Sequence, residues 1–191
     1  MTLKFSARPD SLDFRDRMFQ PGLVDVPVRI DLDHYKKLKI PVLHQGKSWA
    51  CTGFALATVV HYMLRRREIN PDWTVVSPAM LFQMARRHDE YPGGQFLGSS
   101  ARGAMKGWWY HGVCSADLWP YRGLRTDRRL TVERAGDAAR RPLGVYLRVN
   151  HQDLVAMHSA LAEVGILYAV SNVHEGWLKP GSEGRIMRGK P

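Results

Sequence analysis

Residues 41–55 constrain this chain more than any other stretch. A short apolar segment that starts at a proline leads into a turn at Gln45 and Gly46, and Cys51 follows six residues after Gln45. Beyond it, side chains recur at the i, i+4, i+8 spacing of one helix face, at Phe54, Ala55, Thr58, Val59, Tyr62 and Met63. The pattern predicts a helix that has Cys51 in its first turn and ends near the arginines at 65–67, whose charge suits the negative end of a helix dipole.

The position of Cys51 at a helix start has chemical consequences. The unpaired N–H groups of a helix N-terminus favour negative charge, and the thiolate is the nucleophilic form of cysteine. The backbone N–H of Cys51 and a Gln45 side chain folded back over it would together form an oxyanion hole for acyl transfer. The alternative is that Cys51 is a small buried hydrophobic residue, as most cysteines outside disulfides are. We favour the nucleophile because Gln45 and the helix start occur together.

The string HQGKSWACTGFA, residues 44–55, resembles the active-site segment of papain-like cysteine peptidases. The resemblance implies that Cys51 is the nucleophile and that Gln45 is the oxyanion-hole glutamine. Two positions depart from the family pattern. The first cysteine of the family, which is usually disulfide-bonded, is Ser48 here, and the aromatic residue after the nucleophile is Thr52. The first departure fits a chain that folds without disulfides.

Two further segments carry the resemblance. Residues 112–121 are similar to the family segment in which a helix ends in glycine and leads to a Pro-Tyr pair, here Pro120 and Tyr121. The glycine-rich loop 93–100 lacks the motifs of a phosphate-binding loop. The resemblance implies instead that Gly93 and Gly94 belong to a substrate-binding loop, whose backbone pairs with an extended peptide.

Capping residues and periodicity predict the remaining elements. We expect helices at 78–88 after Ser77, at 101–111 after Ser99 or Ser100, and at about 152–163 after Asn150, the last two closed by glycines. An alanine-containing stretch within 122–142 predicts a surface helix, and 143–149 and 166–173 read as strands.

The fold class that the resemblance implies is α+β, the papain-like cysteine proteinase fold. We expect a single domain over 1–191, with a lead-in over about 1–40, a helical lobe with the nucleophile over 41–121, and a partial β-rich lobe over 122–191. The implied activity is peptide-bond hydrolysis through a cysteine thioester.

A cysteine nucleophile needs a general base, and this family places its histidine about 130–150 residues after the cysteine. No histidine follows His174, and no segment resembles the Gly-His-Ala strand or the Asn-Ser-Trp-Gly motif of the family. We assign no catalytic role to His174 or to His44. We therefore expect a C-terminal truncation before the catalytic histidine, which leaves these 191 residues inactive or nearly so.

Composition limits the partners. No apolar run has the length of a membrane span, and the N-terminus has no apolar leader, so we expect a cytoplasmic protein without membrane contact. Two cysteines do not make a disulfide framework, and the carboxylates of Asp31 and Asp33 lack further ligands nearby. We expect no metal and no cofactor. The expected partners are a peptide or protein substrate and a complementing chain or oligomer at the exposed second lobe.

Two other functions remain open. The first is a non-catalytic papain-like module that binds a peptide or a protein. The second is nucleic-acid binding, which the net charge of +10 suggests. We rank it last because the basic residues are spread along the chain and no nucleic-acid-binding motif is present.

Overall fold

The computed structural model describes residues 7, 10–11, 13–23, 25–91, 97–177, 180–181 and 185–187. In this part of the chain the α-helices are α1 (Asp33–Lys37), α2 (Cys51–Arg65), α3 (Pro78–Arg87), α4 (Ala101–His111), α5 (Val132–Ala138) and α6 (Leu154–Val164). Short 3-10 helices lie at Gly123–Arg125 and Glu175–Trp177. None of the described helices is long and apolar enough to cross a membrane.

The helices of the expected helical lobe start and end where their capping residues predict. Helix α2 begins at Cys51 and ends at Arg65. The Ser77 hydroxyl accepts the Met80 N–H at 3.0 Å at the start of α3, and the Ser100 hydroxyl accepts the Gly103 N–H at 2.9 Å at the start of α4. Gly112 ends α4 with a φ of 67°, which favours glycine. These predictions are confirmed.

The last long helix starts at a different cap from the one predicted. The Asp153 carboxylate accepts the Ala156 N–H at 3.0 Å and begins α6, whereas Asn150 accepts the Gln152 N–H at 3.1 Å in the preceding turn. Asparagine and aspartate are about equally good caps, so residue type alone did not separate them. Gly165 closes α6 in the left-handed conformation, as predicted. Helix α5 confirms the surface helix within 122–142.

Helix α3 packs against both α2 and α4, and glycines make the close approach feasible. A Cβ on Gly53 of α2 would lie 2.6 Å from the Pro78 carbonyl oxygen. A Cβ on Gly107 of α4 would lie 2.8 Å from the Met84 carbonyl carbon. The main core among these helices consists of Leu56, Ala57, Val60, Leu64, Val76, Leu81, Ala85, Ala104, Trp108 and Val113. This core fixes the helix that carries Cys51.

The prediction of a β-rich lobe is wrong. The described part of 122–191 contains α5, α6 and the two 3-10 helices, and neither 143–149 nor 166–173 forms a strand. Between described residues, isolated bridges join Met18 to Arg148 and Val76 to Ser115. An apolar, β-branched run suits a pleated surface, but a strand also needs a second backbone to pair with. No ladder to another described segment runs through 166–173.

The N-terminal segment is held on α4 by Arg102, whose side chain is only 4% exposed. Its two terminal nitrogens donate to the two carboxylate oxygens of Asp16, both at 2.6 Å, and one also donates to the Ser11 carbonyl oxygen at 2.6 Å. Glu90 approaches the same guanidinium at 2.8 Å. Arg148 donates to Asp16 at 3.1 Å, so the network also reaches the segment that follows α5.

Candidate active site

The turn before α2 is closed by two side chains. The Ser48 hydroxyl donates to the Gln45 carbonyl oxygen at 2.8 Å, and the Gln45 side-chain amide donates to the Ser48 carbonyl oxygen at 3.2 Å. The Ala50 N–H then approaches the Ser48 hydroxyl at 3.4 Å. Ser48 therefore holds the loop at the position where the family usually has a disulfide-bonded cysteine. These bonds hold the Gln45 side chain against the backbone of the turn that leads into α2.

Cys51 is the first residue of α2 and is half-buried. The preceding residue, Ala50, is fully buried, and its carbonyl oxygen accepts the Phe54 N–H at 3.1 Å in the first helical bond. Because the first N–H groups of a helix have no partner within it, the Cys51 thiol lies beside backbone donors. Neither Cys51 nor Cys114 is in a disulfide.

The second cysteine differs sharply from the first. Cys114 is fully buried against Met80 and Trp119. Burial raises the pKa of the Cys114 thiol to about 11, and the Asp137 charge adds to the shift. Cys114 is therefore an inert thiol at neutral pH.

The residue after Cys51 anchors a second segment to this site. The Thr52 hydroxyl lies 2.6 Å from the Ser99 hydroxyl, and both residues are buried. The Tyr168 hydroxyl donates to the Thr52 carbonyl oxygen at 3.0 Å. Burial raises the pKa of Tyr168, and a negative charge on Cys51 would raise it further. The Tyr168 phenol is thus neutral and bonded to the residue that follows Cys51.

The other residues considered from sequence do not join this group. Gly93 and Gly94 lie outside the described residues. His44 is exposed, and its Nδ1 accepts the Gly46 N–H at 3.0 Å. His174 is also exposed, and its Nδ1 accepts the Gly176 N–H at 3.1 Å. The described residues contain no cluster of three side chains suited to hold a metal ion.

Comparison with solved structures identifies the architecture. The structure is similar to that of xylellain, a cysteine protease from Xylella fastidiosa, with a TM-score of 0.68 and 22% sequence identity, over 85% of this chain and 66% of that chain. It is also similar to digestive procathepsin L 3 of Tenebrio molitor larval midgut, with a TM-score of 0.58 and 14% identity, over 83% of this chain and 47% of that chain. The fold is papain-like.

The match confirms the predicted papain-like fold, without the β-rich lobe. At these identities the likeness concerns the fold alone, and the chain spans about two-thirds of the length of xylellain and about half of that of the procathepsin. No protein-family model matches the chain, and no curated protein matches it.

Sequence reasoning missed Tyr168 as part of the site. Its contact with Thr52 joins positions 116 residues apart, and the surrounding run read only as a strand. No local signal marks such a contact. Ser48 was recognised as a departure from the family pattern, but its hydroxyl bond to Gln45 was not predicted.

Proposed function

We propose that this chain is a papain-like cysteine peptidase that hydrolyses peptide bonds through a thioester on Cys51. The observation that carries the proposal is the half-buried thiol at the first residue of a 15-residue helix, in a chain with a papain-like fold. The unpaired N–H groups at the start of that helix are donors available to a developing oxyanion. The sequence resemblance at 44–55 points to the same residue.

The chemistry would proceed in two halves. The Cys51 thiolate attacks the scissile carbonyl carbon, a C–S bond forms, and the carbonyl electron pair moves onto oxygen. Collapse restores the carbonyl and breaks the C–N bond, and the amine leaves with a proton from a general acid. Water that has lost a proton to the conjugate base then attacks the thioester. The C–S bond breaks, which releases the carboxylate product and the Cys51 thiolate.

Gln45 would stabilise the oxyanion in both halves. Its side-chain nitrogen has two hydrogens, of which one bonds to the Ser48 carbonyl oxygen. The other hydrogen and the Cys51 N–H would be the two donors. Loss of one oxyanion-hole donor typically lowers kcat about 100- to 1000-fold. Ser48 would serve this step by fixing the orientation of Gln45.

We further propose that these 191 residues alone hydrolyse peptides slowly or not at all. The sequence contains eight histidines, and none stands in a segment that resembles the histidine strand of the family. A second chain that carries such a strand could supply the base. Exposed apolar side chains in and after the 143–149 segment support this, since Val145, Leu154 and Val155 are 73%, 64% and 67% exposed. Light scattering that shows only a monomer, with or without cell extract, would count against a partner.

The nucleophile role is tested by the rate at which iodoacetamide alkylates Cys51, followed by intact mass. Cys114 serves as an internal reference because it is fully buried, and a Cys51→Ser variant should gain no adduct. We expect Cys51 to react roughly tenfold faster than glutathione at pH 6.5. If Cys51 reacted only as fast as glutathione, the proposal would be overturned. The alternative of a non-catalytic papain-like module that binds a peptide or a protein would then be favoured.

Turnover is tested separately with a mixture of fluorogenic peptides. We expect at most trace hydrolysis by the purified chain. Hydrolysis at ordinary enzymatic rates that disappears in Cys51→Ala would show that the base is present after all. It would refute the proposed inactivity but support the peptidase chemistry.

A further inference from the structure

Two histidines join the C-terminal ends of α3 and α4. His88 directly follows α3, and His111 is the last residue of α4. Their Nε2 atoms lie 2.9 Å apart, and both residues are half-buried. The ring planes are tilted by 40°, with the centroids 5.1 Å apart. The distance between the nitrogens is that of a hydrogen bond, so one Nε2 donates and the other accepts.

This contact limits the number of protons that the two rings can hold. Two neutral rings satisfy it when one carries its proton on Nε2 and the other on Nδ1. One added proton also satisfies it, because the charged ring donates to the neutral one. A second added proton places an N–H on both facing atoms, and the two positive charges repel. The hydrogen bond therefore forms when the pair carries zero or one positive charge, and is lost when it carries two.

The surroundings of the pair oppose its protonation. Burial lowers the pKa of His88, and the charges of Arg87 and Lys106 lower it further. Burial also lowers the pKa of His111, and the charges of His88 and Arg87 add to the shift. The ring of Tyr110 stacks on His88, with the centroids 4.8 Å apart and the planes 15° from parallel. Since the ordinary value is 6.5, both rings are neutral at pH 7.5.

The carboxylates of the neighbouring segments are engaged with other groups. Asp89, which follows His88, accepts the Glu90 N–H at 2.7 Å. Glu90 belongs to the ion-pair network of the N-terminal segment, and Asp13 of that segment approaches Lys106 at 3.9 Å. Among the described contacts, none of these three carboxylates pairs with either imidazole. A proton that binds to the pair therefore gains no salt bridge there.

The position of the pair gives it leverage on two helices. Helices α3 and α4 approach most tightly where Gly107 faces Met84. His88 follows Met84 by four residues and His111 follows Gly107 by four, which is about one helical turn in each helix. The pair thus continues the helix contact to both C-terminal ends. Because helix ends open more readily than helix centres, a side-chain bond there opposes local opening.

We propose that His88 and His111 form a pH-sensitive latch between the ends of α3 and α4, closed at neutral pH and opened when the pair takes a second proton from solvent. Opening frees the last turns of both helices and leaves the rest of their interface packed. The open form binds the second proton more tightly, so the stability that the latch contributes is present at pH 7.5. It is lost as the pH falls through the lowered pKa values of the two rings.

The sharing of protons is measured by NMR titration of the histidine ring C–H signals of the full chain, between about pH 8 and 4. EDTA is present so that no metal ion binds between the rings. His88→Gln and His111→Gln each leave one ring alone and assign the wild-type signals. We expect the second of the two wild-type steps to lie at least about one pH unit below the single step in either variant, a tenfold loss in proton affinity. His158→Gln, at an exposed histidine, is the control and should leave both steps unchanged.

The opening itself is measured by hydrogen exchange at the His88 and Gly112 amides. These amides make the last backbone hydrogen bonds of α3 and α4, at 3.1 and 2.8 Å. Their protection is divided by that of the Gly165 amide at the end of α6, so that global unfolding and the intrinsic pH dependence of exchange cancel. We expect this ratio to fall roughly fivefold as the second proton binds, the effect of losing one hydrogen bond. In His111→Gln the ratio should stay constant over the same pH range.

Each measurement can overturn the latch. If the second wild-type step coincided with the single step of the variants, the two rings would not share protons and the proposal would fail. If the protection ratio stayed constant through the second step, protonation would not open the helix ends, and the proposal would fail as well. Should one variant not fold, as judged by circular dichroism, the other provides the same comparison. An unreactive Cys51 would refute the proposed peptidase and leave the latch untouched.

Discussion

A single buried imidazole gives this molecule a pH dependence that its composition does not reveal. The side chain of His61 on α2 is fully buried, and its Nε2 accepts the Val76 N–H at 2.9 Å. An acceptor nitrogen carries no proton, so the ring is neutral and holds the chain between α2 and α3 in place. Burial lowers the pKa of His61 to about 4, and the charge of Arg65 contributes to the shift.

We predict that stability falls as the pH drops through this range because of His61. The pKa is lowered in the folded state, so the unfolded chain binds the proton first, and the contribution is complete above pH 6.5 and lost toward pH 4. The shift corresponds to on the order of 3 kcal/mol. About 2 kcal/mol of this is lost by pH 5, and urea unfolding at pH 7.5 and 5 measures that part. The His61→Gln variant, which keeps a hydrogen-bond acceptor, should be less stable than the wild type at pH 7.5. Its free energy of unfolding should change less between pH 7.5 and 5.

The exposed His158 provides the control for this prediction, since His158→Gln should leave the pH dependence as it is in the wild type. If His61→Gln retained the full wild-type loss between pH 7.5 and 5, the loss would come from other groups and the prediction would fail.

At the scale of elements, close helix packing depends on Gly53. Its Cβ position is 2.6 Å from the Pro78 carbonyl oxygen and 2.7 Å from the Phe82 Cβ, both on α3. We predict that Gly53→Ala destabilises the protein by about 1–3 kcal/mol, because α3 would have to move and overpacking outweighs the better helix propensity of alanine. The free energy of unfolding in urea checks this. It also bears on the site, since Gly53 lies two residues from Cys51.

Gly136 in α5 is the matched control. It is exposed, and an added Cβ there would meet nothing within 4 Å. Gly136→Ala should therefore be neutral or stabilise by up to about 1 kcal/mol through helix propensity. Equal effects of the two substitutions would show that backbone propensity, and not helix packing, governs Gly53.

The helices could be predicted from sequence because neighbouring residues determine where they start and end. Ser77, Ser100 and Gly112 each act within three or four residues of their own position. The predictions of strands at 143–149 and 166–173 were wrong. A strand forms only when its backbone pairs with a second one, and a local pattern specifies only one of the two. The hydrogen bond from Tyr168 to Thr52 could not be predicted for the same reason, because it joins two distant parts of the chain. Cys51 could be singled out as a candidate nucleophile because both of its signals, the helix start and Gln45, lie within the same short stretch.

At the scale of the whole molecule, one buried cation organises the acidic residues of a basic protein. Despite a net charge of +10, Arg102 is surrounded by Asp13, Asp16 and Glu90, at 3.4, 2.6 and 2.8 Å. Through Asp16 the same network includes Arg148. It therefore joins the N-terminal segment, helix α4 and the segment after α5. No sequence motif predicts these ion pairs, because the residues that form them come from four separate stretches of the chain.

We predict that Arg102→Met destabilises the protein by about 3 kcal/mol or more, because it removes the buried cation that Asp13, Asp16 and Glu90 share. Lys36→Met removes an exposed ion pair, in which the side chains of Lys36 and Asp33 are 75% and 62% exposed, and should cost less than about 1 kcal/mol. Urea unfolding of both variants in parallel measures the difference. High salt should reduce the small effect of Lys36→Met and leave most of the Arg102→Met effect, since a buried pair is screened less. If both variants lost the same small amount, the N-terminal segment would be held by something other than this guanidinium, and its position beside α4 would need another cause.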